Sequence, residues 1–273
     1  MIPAAFDYQR ASTLDEAVGL LSANGEDAKL LAGGHSLLPL MRLRLATPAL
    51  LIDIGRIREL SYVRDEGDRV AIGALTRHRD LEISEALRAH VPILAHVAAQ
   101  VGDPQVRHRG TIGGSISHGD PASDLPAACL ALGATFRAVG PKGERTIAAG
   151  DFFRGFLETA LAADEVLTEI SVPKMDGAGW SFQKFNRRAQ DWAIVGVAAV
   201  TGANPGVALV NMGMTPLRAT AVEEALASGA SGAEAASHAA DGLDPPSDLN
   251  ASADYRRHLA RVLVRRALEE AAA

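Results

Sequence analysis

A single cysteine, Cys129, stands in a chain of 273 residues. One thiol forms no internal disulfide and cannot hold an iron–sulfur cluster or a structural zinc site, so any metal redox centre serving this protein has to sit on another chain. Basic charge is scarce as well. With 27 Lys and Arg against 33 Asp and Glu the formal net charge is −6, which sets aside general nucleic-acid binding, because phosphate-tracking surfaces are basic. Long apolar runs are missing too: Ala193–Val200 stops at Thr201-Gly202, well short of the roughly 18 residues of a membrane span. The opening Met1-Ile2-Pro3-Ala4-Ala5-Phe6-Asp7-Tyr8 turns polar before a basic-then-apolar leader forms, and a cytoplasmic protein is expected. No repeat of about 20 to 50 residues breaks the chain into an array. Its length allows one large domain or two to three small ones.

What the sequence does have is two glycine-rich loops, Leu31-Ala32-Gly33-Gly34-His35-Ser36 and Thr111-Ile112-Gly113-Gly114-Ser115. Glycine reaches φ > 0 and lets the backbone approach a ligand closely, so consecutive N–H groups can converge on phosphate oxygens. Neither loop has the Gly-x-Gly-x-x-Gly arrangement or a Gly-Lys-Thr/Ser ending, which disfavours both common nucleotide folds. One Gly-Gly pair alone reads equally as a tight turn. Two loops of the same make point to a clamp for a dinucleotide diphosphate. The segment after the second loop, Ser117-His118-Gly119-Asp120-Pro121-Ala122-Ser123-Asp124, is dense in small and polar residues. Asp124 has the acceptor oxygens for ribose or ribityl hydroxyls, while the plainer reading has Asp120 and Asp124 capping the next helix. For His35 and His118 a structural role outweighs acid–base catalysis, and no Ser-His-Asp assembly is read from spacing alone.

The pattern is mixed α and β. Thr13 and Glu16 have capping-box spacing ahead of Leu14, Val18 and Leu21, and Gly25 is placed to end that helix. Ala28–Leu31 and Leu50–Ile54 read as strands, with a helix starting at Leu37. Two strands flank the turn Asp65-Glu66-Gly67-Asp68, Thr76 is expected to cap a helix, Pro92 opens another, and Ser123 caps a third. Ala134–Val139, Arg145–Ile147 and Val166–Val172 read as strands. Beyond the linker 173–179, Trp180–Phe185, Ala193–Thr201 and Val207–Met214 predict a three-stranded antiparallel sheet. The tail Tyr255–Ala272 predicts a last helix with a stripe of Leu259, Val262, Leu263 and Leu268, its six arginines and histidines forming a solvated or inter-subunit face. Three units are expected, 1–55, 56–176 and 177–273.

Taken in order, Lys29-Leu30-Leu31-Ala32-Gly33-Gly34-His35-Ser36-Leu37, Thr111-Ile112-Gly113-Gly114-Ser115 and Asp120-Pro121-Ala122-Ser123-Asp124 resemble the FAD-binding subunits of molybdenum hydroxylases of the xanthine dehydrogenase family, the medium subunits of aerobic carbon monoxide dehydrogenases above all. The resemblance covers essentially the whole chain. It implies an α+β protein with the PCMH-type fold, named for p-cresol methylhydroxylase and vanillyl-alcohol oxidase: two α/β subdomains enclosing FAD, followed by a C-terminal domain. It implies that Lys29, Leu31 and Ala32 through Leu37, with Thr111, Gly113, Gly114 and Ser115, hold the diphosphate region, Ser117, His118 and Asp124 lying nearby. Val166 and Leu167 would line the flavin or adenine pocket, and Lys184 and Trp192 would lie near the cofactor. Many relatives have Asn where this chain has Ser115, and the close pattern has Tyr where it has Trp192, which stacks but offers no phenolic hydroxyl. The implied role is electron transfer without a catalytic acid or base. Electrons would come from a large molybdopterin subunit through a small subunit with two-iron two-sulfur clusters, in a dimer of heterotrimers, and leave to a quinone, NAD or oxygen. A self-contained reductase resembling UDP-N-acetylenolpyruvoylglucosamine reductase is the competing reading, and no persuasive match to its motifs is present.

Overall fold

The computed structural model describes residues 2–202 and 204–273. In the first unit β1 (Asp7–Arg10), α1 (Leu14–Asn24), β2 (Ala28–Leu31), α2 (Leu37–Arg42) and β3 (Leu50–Asp53) form a three-stranded parallel sheet in the order β1-β3-β2. Helix α1 starts where Thr13 Oγ1 accepts the Glu16 N–H at 3.2 Å, and Glu16 reaches back to the Ser12 N–H. It buries Ala17 and Leu21 against Ile52 and Ile54. Strand β1 is exposed along its whole length, so it carries no apolar alternation by which the sequence would announce it.

The second unit is built on an antiparallel sheet in the order β4-β5-β10-β6-β7. Its elements are β4 (Val63–Asp65), β5 (Arg69–Gly73), α3 (His78–Ile83), α4 (Glu85–His90), α5 (Pro92–Ala99), α6 (Pro104–Arg107), α7 (Ile112–His118), α8 (Asp124–Ala131), β6 (Thr135–Gly140), β7 (Gly143–Ala148), α9 (Ala149–Phe152), a small hairpin of β8 (Phe153–Gly155) and β9 (Glu158–Thr159), and β10 (Val166–Pro173). Two capping expectations change here. Thr76 does not cap α3, which begins after Arg77; its hydroxyl accepts the Tyr62 N–H at 3.0 Å and donates to the Tyr62 carbonyl at 2.9 Å. Ser123 does sit at the N-cap of α8, but its hydroxyl makes no capping bond.

The third unit contains β11 (Trp180–Phe185), β12 (Val195–Val200), β13 (Gly206–Val210) and β14 (Leu217–Arg218), then α10 (Thr220–Ala227), α11 (Gly232–Ser237) and α12 (Ala253–Ala271). The antiparallel sheet has four strands rather than three, because two residues of β14 pair with β13; a pair so short leaves no periodic trace in sequence. Both faces are covered. Val195, Val197, Ala199, Val207 and Leu209 pack with Leu259, Leu263 and Val264 of α12. The alternate residues Ala198, Val200, Ala208 and Val210 join the core of the second unit, which includes α8, all eight of whose residues are buried. Gly206 lies so close to the Ala131 carbonyl that a Cβ would collide with it. Arg256 departs from the solvated face expected of α12: it is fully buried, donating Nη1 to the Ile194 carbonyl and Nη2 to Asp248 at 2.8 Å.

Candidate cofactor-binding cleft

The first glycine loop begins where β2 leaves the parallel sheet, its last carbonyl, on Leu31, accepting the Ile54 N–H at 3.0 Å. Gly34 adopts φ +77°, a left-handed conformation open to glycine without strain, and its carbonyl starts α2 by accepting the Leu38 N–H at 3.0 Å. Among the described residues, the main-chain N–H groups of Gly33, Gly34, His35, Ser36 and Leu37 donate to no protein acceptor. A run of five free amides is an anion-binding device, since unpaired N–H groups carry partial positive charge and need a partner.

The second loop is built differently from the expectation that both present bare amides. It lies beside residues 74–77, and the carbonyls of that stretch take its N–H groups: Ile112 donates to Thr76 at 3.1 Å and Gly113 to Ala74 at 2.8 Å. Gly114 donates to Thr111 Oγ1 at 3.1 Å and Ser115 to the Thr111 carbonyl at 3.1 Å as α7 starts. Among the described residues, Thr111 alone of the loop's five keeps an N–H without a protein acceptor, and the loop lines the cleft with the hydroxyl-bearing residues Thr111, Ser115 and then Ser117. The two loops touch. A Cβ on Gly33 would stand 2.9 Å from Gly110 Cα and closer still to the Arg109 carbonyl oxygen. Arg77 donates Nη1 to that same carbonyl and fixes the peptide against which Gly33 packs.

Between the loops runs a cleft of about 730 Å³, of the size that holds small ligands and cofactors. Its walls include Lys29, Leu31, Ala32, Gly33, Gly34, His35, Ser36 and Leu37 on one side and Thr111, Gly113, Gly114, Ser115, Ser117 and His118 on the other, with Val166 and Leu167 of β10 as apolar floor. Burial lowers the pKa of His118, against a small opposing pull from Asp120, so its imidazole is neutral at pH 7. Sixteen of the residues singled out in sequence thus meet along one surface. Two contributions carry no signal in the sequence. One is the stretch around β9, where Leu157 holds φ +57° and, with Thr159, Leu161 and Ala162, closes the far wall. The other is His78, buried behind Ser115 with its Nε2 3.3 Å from the Ser115 hydroxyl and its Nδ1 without a partner. Desolvation, aided by His35, Arg77 and Arg107, pushes its pKa down to about 4.

Three residues lie elsewhere. Asp124 and Lys184 face each other, not the cleft: Lys184 Nζ is 2.7 Å from Asp124 Oδ2 and donates to the Gln100 carbonyl at 3.1 Å, both side chains being buried. Burial raises the Asp124 pKa while Lys184 opposes it. The pair ties β11 to the ends of α5 and α8. Trp192, 57% exposed, lines a second cleft of about 530 Å³ with Phe156, Arg187 and Asp191. Cys129 is sealed in α8 with its thiol pushed up to about 12 by burial. Among the described residues no group of three His, Cys, Asp or Glu side chains is placed to hold a metal ion, and no helix is long and apolar enough to cross a membrane.

Known proteins match this chain along nearly its whole length. Residues 4–175 match the family model for the FAD binding domain in molybdopterin dehydrogenase, and residues 180–271 that for the CO dehydrogenase flavoprotein C-terminal domain. The chain is 45% identical to the carbon monoxide dehydrogenase medium chain of Hydrogenophaga pseudoflava, over 99% of this chain and 98% of that one. It is 38% identical to the 6-hydroxypseudooxynicotine dehydrogenase complex subunit alpha of Paenarthrobacter nicotinovorans, over 99% of this chain and 96% of the relative. The solved Hydrogenophaga pseudoflava carbon monoxide dehydrogenase lacking the Mo-pyranopterin moiety superimposes with a TM-score of 0.96 at 46% identity, covering 99% of this chain and 98% of that one. The fold is the PCMH-type FAD-binding architecture with a C-terminal sheet-and-helix domain, and the chain belongs to the family of FAD-binding subunits of the molybdenum hydroxylases.

Proposed function

We propose that this chain is the FAD-holding electron-transfer subunit of a molybdenum hydroxylase complex, seating the cofactor diphosphate between its two glycine loops. The observation that carries the reading is the run of five unpaired amides from Gly33 to Leu37 facing the hydroxyls of Thr111, Ser115 and Ser117 across one cleft. That donor set suits a diphosphate: amides and hydroxyls neutralise anionic oxygens by hydrogen bonding and need no cation in the cleft floor. Val166 and Leu167 give the apolar surface that a ring system covers, and the cleft is long enough to run from Lys29 of β2 past both loops to Leu161.

When bound, FAD supplies the capacity to accept electrons one at a time and release them to another acceptor. The chain's own part is to hold and orient the cofactor and to keep bulk water from its inner face. On this reading the chain supplies no substrate acid or base: burial lowers the pKa of both His78 and His118, and His78 sits behind Ser115. Metal chemistry falls to other chains, a small iron–sulfur subunit and a large molybdopterin subunit in a dimer of heterotrimers, since the one cysteine is buried and inert. Substrate choice then lies with the molybdenum subunit. Relatives of this chain carry names as different as carbon monoxide and 6-hydroxypseudooxynicotine dehydrogenase.

The test is spectroscopic. The purified chain is incubated with FAD, freed of excess, and its visible flavin bands are followed on adding NADH or, separately, the iron–sulfur and molybdenum subunits with their substrate. Retained bands that bleach only with the partners are expected. No retained flavin would defeat the cleft assignment, and bleaching by NADH alone would favour a self-contained reductase.

A further inference from the structure

The buried imidazole behind the second loop has two nitrogens in very different surroundings. His78 is 3% exposed. Its Nε2 lies 3.3 Å from Ser115 Oγ, and its Nδ1 has no hydrogen-bond partner at all. The ring is pinned: a Cβ on Gly110 would stand 2.7 Å from its Cδ2 and 2.8 Å from its Nε2, so only glycine at that position leaves room for it. A neutral imidazole carries one proton, and the choice of nitrogen decides what the serine can do. With the proton on Nδ1, a buried N–H is orphaned, which folded proteins almost never tolerate. With it on Nε2, the orphan is a bare lone pair, and under-satisfied acceptors are the commoner exception. The second arrangement makes Nε2–H the donor and Ser115 Oγ the acceptor. The serine proton is then turned away from His78, and Ser115 lines the cleft.

We propose that His78 is a positioning residue that fixes the Ser115 hydroxyl as a hydrogen-bond donor into the cleft, aimed at an anionic oxygen of the cofactor diphosphate. This rests on the cleft reading above and deepens it. It gives the second loop, whose main-chain amides from Ile112 to Ser115 are consumed by Ala74, Thr76 and Thr111, a donor of fixed polarity beside the bare Thr111 N–H and facing the free amides of the first loop. Without His78 the same hydroxyl rotates freely, and fixing its proton toward the phosphate then costs part of the binding free energy. The charged groups around the ring, Arg77 and Arg107, together with His35, all disfavour a second proton on it. The polarity therefore holds across the neutral range.

Two measurements test this. In the chain labelled with ¹⁵N histidine, the ring nitrogens of His78, assigned by loss of signal in His78→Gln, are expected to show Nε2 protonated and Nδ1 bare at pH 7; a proton on Nδ1 would overturn the proposal without reference to any ligand. FAD affinity is then titrated for His78→Leu, His78→Gln, Ser115→Ala and the double variant His78→Leu/Ser115→Ala, each checked by thermal melting. The leucine and alanine variants are each expected to lose about tenfold, the double variant no more than either, and glutamine, whose side-chain N–H reaches the same place, to recover most of the loss. Wild-type affinity in His78→Leu, additive losses in the double variant, or equal losses in Leu and Gln would refute it. A wild-type chain that never retains FAD would defeat the cleft reading, while the ring signal still reports separately whether His78 donates.

Discussion

Gly33 is the point where the two loops meet, and a methyl group there measures how much cofactor binding depends on their contact. A Cβ would fall 2.9 Å from Gly110 Cα and inside contact distance of the Arg109 carbonyl oxygen. Both are main chain, and the carbonyl is held by Arg77, so neither swings aside as a flexible side chain would. Ordinary contact begins at 3.4 Å, so Gly33→Ala forces the loops apart by about 0.5 Å or more, an overpacking cost of about 1–3 kcal/mol. If the protein relieves the clash by separating the loops, that cost appears in FAD affinity, as a loss of about 5- to 150-fold at tenfold per about 1.4 kcal/mol. Affinity is read by quenching of flavin fluorescence on titration. Melting of the FAD-free chain separates a loss of fold from a loss of fit. Gly19→Ala is the control: nothing lies within 4 Å of its Cβ position in helix α1, and affinity is expected to stay put. A Gly33→Ala chain that binds FAD within twofold of wild type and melts at the same temperature would refute the claim that close loop approach shapes the cleft.

Three further outcomes are expected. Lys184→Met leaves the Asp124 carboxylate buried without its cation, and should destabilise the chain by about 3–5 kcal/mol, measured by urea denaturation; an unchanged midpoint would show that water reaches the pair. Arg256→Met strands the Ile194 and Asn211 carbonyls that the guanidinium serves and should cost about 2–4 kcal/mol in the same assay, with Arg256→Lys recovering little, since one ammonium cannot replace the fork. The third concerns acid. His78 titrates near its ordinary 6.5 when unfolded and at about 4 when folded, so between those values the unfolded chain binds more protons and stability falls as pH falls, by up to about 3 kcal/mol across the window. Relative to wild type, His78→Leu should flatten the dependence of stability on pH between 6.5 and 4; an identical slope would mean that the folded ring is protonated in that range.

Where the chain uses glycine, proline or alternating apolar residues, its architecture was legible from sequence. Both loops, the turn at Asp65–Asp68 and the strands Ala28–Leu31 and Val166–Pro173 lie where their patterns place them. Strand β1 and the two-residue β14 were not legible, since one is exposed throughout and the other is too short for a period to exist. The candidate site divides in the same way. Backbone features announce themselves through glycine, so the loops could be found. The consumption of the Ile112 and Gly113 amides depends on the distant carbonyls of Thr76 and Ala74, a tertiary fact. His78 gave no signal for the same reason: an isolated histidine at the start of a helix becomes informative only once Gly110 and Ser115 are seen against its ring.

Helix α8 has no surface of its own. It shares one core with Phe136 and Ile170 of the second sheet and with Ala198 and Val210 of the C-terminal sheet, while Gly206 admits the carbonyl at its last turn. The gap between the two matched segments, at residues 176–179, is thus a seam in the sequence and not in the packing. A fragment cut there would present a raw apolar wall on either piece and fold poorly alone. Swapping C-terminal halves between relatives should succeed only where the small residues opposite α8 match. Recombination at this seam is thus open only to partners whose small residues opposite α8 already fit, so the two halves are constrained to change together.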